Sequence, residues 1–284
     1  MKTGFFKIQL NNVLSERDSG LHRITEFDWK KIMKQIVTWG IAAVMLTLIV
    51  GCKKHKKGTN PVQTDTVTFQ VKHFWQDSLA FELDTDLVNP ITNDTLNFTN
   101  IRYYLSNIRL KKADGSWWVQ PDSYFLLNLA NGINPSIQLS GVPHGEYTEV
   151  SYVLGVDSLR NVSGAQSGDL SPALGMFWSW NSGYIMLKAE GLSPNSDSGS
   201  FAYHLGGFSG KDNIVTTNTH HFGGNTLSVT GTGQCRIVIG AHPEKLWLTY
   251  GSVSGGSVVH THGANAKKMA EGFYDNFELK EIHD

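Results

Sequence analysis

Hydrophobic and polar residues alternate in short runs along most of this chain, and that alternation predicts strands. Val67, Phe69, Val71, His73 and Trp75 share one face of an extended segment, with Thr68, Gln70 and Lys72 on the other. Residues 101–111, 117–129, 147–154, 184–190, 201–206 and 234–239 read the same way, and 246–250 predicts one more strand. Glycine, asparagine, aspartate and proline separate these runs at spacings typical of sandwiches and barrels. Asn93-Asp94-Thr95 and Asp114-Gly115 carry turn chemistry between them. Only the tail changes period: Ala266, Met269, Ala270, Phe273 and Phe277 fall on one helical face. No internal repeat is visible. The predicted fold is all-β, a Greek-key-like β-sandwich with a short C-terminal helix.

One stretch departs from the alternation. After Met33 and Lys34, residues 36–50 are almost wholly apolar, too short for a comfortable membrane span but right for the core of a secretory signal. The run ends in Leu48-Ile49-Val50-Gly51-Cys52, a bacterial lipobox. Lipidation of Cys52 would tie the protein to a membrane surface, expected to be the outer membrane, without threading it through. A single membrane-spanning helix with a buried cysteine is the alternative. Met33 reads as the natural start. The expected organisation is therefore an upstream extension over residues 1–32, a lipoprotein signal peptide over 33–51, a lipid-anchored linker over 52–65, and one β domain over 66–284.

Composition narrows the classes of function. The full chain has 24 Lys+Arg and 25 Asp+Glu; residues 1–51 hold seven and four of them, so the remainder carries 17 against 21, a net of −4. Nothing in that balance suggests nucleic acid as a partner. Lys53-Lys54-His55-Lys56-Lys57 reads as a solvated stretch of linker beside the anchor. With Cys52 acylated only Cys235 remains, so no disulfide framework supports the fold. The chain has no G-x-S-x-G elbow, phosphate-binding glycine loop, H-E-x-x-H or G-x-G-x-x-G after a strand, and Asp84, Asp86 and Asp197 read as turn formers. A binding protein is expected, not an enzyme.

Histidines are the better lead, because neutral imidazole is a good ligand for copper, zinc, iron and nickel. Ten of the 11 follow Cys52. His73 lies on the apolar face of the first predicted strand beside Trp75. His204 alternates with Ala202 and Gly206, small neighbours that leave room around a ring. His220 and His221 are adjacent and point to opposite faces, whereas His260 and His262 can share one. Each alone reads as a hydrogen-bonded structural histidine; two or three converging would make a metal site. A second unusual feature is Gly175-Met176-Phe177-Trp178-Ser179-Trp180-Asn181-Ser182-Gly183-Tyr184, which crowds oxidisable side chains between glycines.

Several stretches together resemble the MbnP-like family, named for the copper-associated partner protein of methanobactin operons and related to copper-repressible surface proteins of methanotrophs. They are the first strand through His73, Arg102-Tyr103-Tyr104-Leu105-Ser106-Asn107-Ile108-Arg109-Leu110, Gly145-Glu146-Tyr147 with Leu154-Gly155-Val156-Asp157, and Gly168-Asp169-Leu170. The Gly-Met-x-Trp-x-Trp run at 175–180, Tyr203-His204-Leu205-Gly206 and His260-x-His262 complete the pattern, which spans roughly residues 66–280. The resemblance implies an extracytoplasmic copper-binding protein in which a partner di-haem enzyme of the cytochrome c peroxidase/MauG type oxidises a tryptophan to kynurenine. On that basis Trp178, Trp180 or Trp75 is the modified residue, and His73, His204 and His260 are the candidate copper ligands. Two other classes fit the same sequence. One is a glycan-binding or adhesion module that stacks Trp117 and Trp118 on sugar rings; the other is a structural envelope lipoprotein.

Overall fold

The computed structural model describes residues 61–164, 166–179, 182–231 and 233–284. Its strands, in chain order, are β1 (Thr64–Trp75), β2 (Leu79–Ala80), β3 (Asp86–Val88), β4 (Thr95–Lys112), β5 (Trp117–Val119), β6 (Tyr124–Asn128), β7 (Ser136–Pro143) and β8 (Gly145–Leu154). They continue as β9 (Phe177–Ser179), β10 (Gly183–Leu192), β11 (Ser200–Gly206), β12 (Thr216–His221), β13 (Leu227–Val229), β14 (Arg236–Ala241), β15 (Val258–Thr261) and β16 (Glu278–His283). Among the described residues two α-helices, α1 (Ser158–Val162) and α2 (Ala264–Tyr274), interrupt them. Among the described residues no helix is long and apolar enough to cross a membrane.

The strands form the expected all-β sandwich. The smaller sheet runs β16-β14-β1-β2, with β7 also on β1; the larger runs β12-β8-β4-β10-β11-β15, with short strands beside β4, β8 and β10. Both sheets are mixed: β1 lies parallel to β14, and β11 parallel to β15. The period-2 pattern of β1 works as predicted, burying Val67, Phe69 and Val71 against the larger sheet, where Phe69 meets Tyr152 edge-on at 5.3 Å between ring centroids. Further along, Trp75, Phe81, Phe98, Phe201 and Trp247 interlock through edge-to-face and stacked contacts into one aromatic core.

Three expectations need correction. The predicted strand over 117–129 is two, β5 and β6, because Pro121 lacks an N–H and Asp122 adopts φ 44° between them. Residues 243–247 form a 3₁₀ turn instead of a strand over 246–250; Pro243 sits in its first turn, and Leu246 and Trp247 are buried by the turn's own shape. The expected short C-terminal helix is present as α2, but it stops at Tyr274, so Phe277 lies past its end, and β16 then returns to pair with β14. The five-residue helix α1 is too short to leave a periodic signal; Asp157 caps it by accepting from Arg160 N at 3.1 Å. At the other end, β1 starts at Thr64, two residues inside the expected linker.

Candidate functional site

The outward face of the larger sheet is where histidines converge. On β11, Phe201, Tyr203 and Leu205 point into the core, so Ala202, His204 and Gly206 point out. The parallel pairing of β11 with β15 sets His204 directly opposite His260, and their rings stack at 4.0 Å between centroids with 11° between planes. On the other side of His204 lies β10, whose outward Lys188 stands opposite it, with Arg102 of β4 beyond. Glu190, one outward position along β10, reaches diagonally so that its Oε1 lies 2.6 Å from His204 Nε2, and Asn100 donates to its other oxygen at 2.7 Å. Glu190 therefore holds Nε2 and leaves His204 Nδ1 as the nitrogen free for a ligand.

Electrostatics favour the neutral ring of His204. Burial lowers the His204 pKa below that of ordinary histidine; the Glu190 bond opposes it, while Lys188 and His260 push the same way as burial. Burial raises the Glu190 pKa, but the bonds from Asn100 and His204 outweigh it and keep the carboxyl below its usual range. An ionised carboxylate beside a neutral imidazole is the arrangement that orients a metal-binding histidine. Among the described residues no group of three or more His, Cys, Asp or Glu side chains is arranged to hold a metal.

Trp178 joins the same face. Strand β9 pairs with β10 and carries the half-buried Trp178 across the sheet. A Cβ on Gly206 would come within 3.0 Å of the Trp178 ring, so glycine at this position is what lets the indole lie flat on β11, one outward position beyond His204. The hairpin that holds it is pinned by Asn161, fully buried on α1, whose Nδ2 donates to Val156 O at 2.6 Å and Asp157 O at 3.0 Å while Oδ1 accepts from Tyr184 N at 2.9 Å. Trp180 and Cys52 lie outside the described residues.

His73 and Trp75 sit elsewhere, in the core. His73 Nδ1–H donates to Ile133 O at 2.6 Å, and Tyr103 O–H donates to Nε2 at 2.8 Å. Both ring nitrogens are thus engaged by protein, and burial pulls the His73 pKa down to about 4. Trp75 is 1 % exposed and gives its indole N–H to Val88 O at 3.0 Å. So the structure brings together His204, His260 and Trp178, and keeps His73 and Trp75 apart from them. His220 faces Tyr152 O–H at 3.0 Å and His221 faces Glu149 at 3.2 Å, on opposite sides of β12 as adjacency requires. Glu190 and Asn161 carried no recognisable signal in the sequence, although Glu190 is a charged, outward position of a predicted strand.

The tryptophans of the β4–β5 hairpin are half-buried. Arg109 lies 4.4 Å from the centroid of Trp117, covering a ring face that a sugar would need, and Trp118 packs against the core.

No curated protein matches the chain. Among solved structures, MbnP from Methylosinus trichosporium is similar at 17% sequence identity, over 63% of this chain and 76% of that one, with a TM-score of 0.41. The family profile described as MbnP matches residues 64–263, from the first residue of β1 to the turn that opens α2. The chain belongs to the MbnP family.

Proposed function

We propose that this protein is a lipid-anchored, extracytoplasmic copper-binding protein whose ion sits on the outward face of β11 and β15. The observation that carries the proposal is the stacked pair His204 and His260, with Glu190 fixing one ring and Trp178 alongside. His204 Nδ1 and a nitrogen of His260 supply two imidazole donors of the type copper prefers once the rings turn out of their stack, since a metal binds in the plane of each ring. Trp178 supplies the missing third after oxidation. A partner di-haem enzyme of the cytochrome c peroxidase/MauG type would open the indole at the expense of two hydrogen peroxides, each leaving one oxygen on C2 or C3 as the C2–C3 bond breaks and releasing the other as water; hydrolysis of the resulting formamide by one water releases formate and leaves kynurenine. Its aromatic amine and ketone then face the histidines. Trp178 is half-exposed at the surface, which electron transfer to a docked haem partner requires, whereas Trp75 is shut in the core. Acylation of Cys52 holds the protein at the membrane, outer membrane by expectation, and no nucleic acid or catalytic role is assigned.

Copper titration of the full-length protein, followed by electron paramagnetic resonance, tests the site. His204→Ala and His260→Ala should each weaken copper at least tenfold, on the order of what losing even a supporting contact does, and Trp178→Phe should abolish the mass gain produced by the di-haem partner. Unchanged affinity in both histidine variants would remove this face from consideration. The glycan-binding alternative gains nothing from the cation-covered Trp117.

A further inference from the structure

On the smaller sheet, far from any role assigned above, one more histidine sits among oxygens. His242 follows β14 directly and is buried. Its Nε2 lies 2.8 Å from Glu278 Oε1 on β16. Its Nδ1 lies 3.1 Å from the Gln76 carbonyl oxygen in the β1–β2 turn and 3.4 Å from Glu244 Oε1 in the 243–247 turn. Carbonyl and carboxylate oxygens only accept, so both ring nitrogens must donate, an arrangement that only the imidazolium form satisfies. Glu244 is 1 % exposed, and neither of its carboxylate oxygens has a hydrogen-bond partner among the described residues. The positive group that reaches it is the ring of His242.

We propose that His242, Glu244 and Glu278 form a pH-sensitive latch, closed while the imidazole carries both protons and open once it loses one. The latch joins the β1–β2 turn, the end of β14, the 243–247 turn and β16. Loss of the proton sets a nitrogen lone pair against an oxygen that only accepts. It also leaves Glu244 a buried charge with no counter-ion, which is costly. Asn89 donates to the Glu244 main-chain carbonyl at 3.1 Å, so the turn cannot swing its carboxylate into water without giving up that bond. The same turn seats Trp247 against Phe201 and Tyr203 on the inner face of β11. It also lies so close to α2 that a Cβ on Gly272 would come within 2.3 Å of Lys245 O. An open latch therefore loosens the floor beneath β11.

The groups around the ring isolate Glu244 as the one that suffers. Asp77 follows β1, Lys245 sits in the 243–247 turn, Asp275 follows α2, and Glu278 lies on β16 beside the same cavity of about 300 Å³, through which the proton exchanges with water. Lys280 pairs with Glu278, so that carboxylate keeps a cation when His242 is neutral. His73 on β1 is already neutral above pH 6.5, and Phe74 only stacks on the ring at 5.9 Å. The bond to Glu244 raises the His242 pKa above that of ordinary histidine; Glu278 adds to the rise and burial opposes it. With the folded pKa raised, the latch contributes fully below about pH 6.5, the unfolded value, and is lost as pH climbs through the folded one. His73, His204 and His220 have lowered pKa values and act the other way, on acidification.

Two measurements on the full-length chain test the latch. Nitrogen-15 NMR at pH 6.5 should show both ring nitrogens of His242 protonated, the signals being assigned by their loss in His242→Gln. Thermal melts from pH 6.5 to pH 9 should give a Tm that falls by about 3–5 °C per pH unit until the ring has titrated. Glu244→Gln, nearly the same shape, lets an amide N–H meet the neutral Nδ1 and should remove most of that slope. His242→Gln should also be flat, melting below the parent at pH 6.5 and together with it at pH 9. A neutral His242 ring at pH 6.5, a flat profile in the parent, or the parent's slope surviving in Glu244→Gln would overturn the proposal.

Discussion

At the scale of single residues, histidine does two opposite jobs in this protein, and the local chemistry decides which. His73 has a donor on one side and an acceptor on the other, so it is fixed as a neutral core group. Its pKa stands near 4 when folded, against about 6.5 for an ordinary histidine. Above pH 6.5 both folded and unfolded chains leave it neutral and its full contribution is present. As pH falls from 6.5 towards 4 the unfolded chain binds a proton that the folded one refuses, and about 3 kcal/mol of stability is lost. Urea unfolding measured from pH 7 to pH 4 should show that decline in the parent and a flatter profile in His73→Gln. His204 differs because one nitrogen is held by Glu190 and the other is left open. Nothing in the sequence separates the two cases: both residues sit on predicted strands near small or aromatic neighbours, and only the partners across the sheet tell them apart.

Among elements, the hairpin β9–β10 depends on a helix that no periodicity announces. Asn161 on α1 satisfies two carbonyls and the Tyr184 amide at once, and a Cβ on Gly183, which has φ 72°, would come within 2.9 Å of the Phe208 ring. Asn161→Ala strands those buried groups, so a loss of roughly 2–4 kcal/mol is expected, with faster hydrogen exchange at residues 182–185 and a shift in Trp178 fluorescence. An unchanged exchange pattern would show that α1 does not govern the hairpin. The sequence makes most strands legible, since alternation is a local property of β1, β4, β8, β10, β11 and β14. It hides what depends on distant partners: the break at Pro121, the return of the chain as β16, and above all the parallel register that sets His260 against His204. The candidate site was therefore visible as a set of residues and invisible as a constellation.

For the whole molecule, the parallel pair β1–β14 sets the order of events. The first strand of the domain cannot complete its sheet until a strand near the other end arrives, and β14 in turn waits for β16. Closing such long loops before any contact rewards them makes folding slow. Refolding from urea, followed by tryptophan fluorescence, should take roughly seconds instead of milliseconds, and a chain ending at residue 230 should leave unprotected in hydrogen exchange the β1 amides that face β14, such as Thr68, which donates to Cys235 O. Millisecond refolding, or protection of the Thr68 amide in the shortened chain, would contradict this order.

The same architecture bears on how the chain would acquire the proposed copper. His204 and His260 lie on strands separated in sequence by β12, β13 and β14, and they become neighbours only when β15 docks on β11. An unfolded chain offers them as two unrelated imidazoles with no chelate advantage, so the ion pool that matters is that of the compartment in which folding finishes. For a protein exported unfolded, the cytoplasm's metals would have no vote.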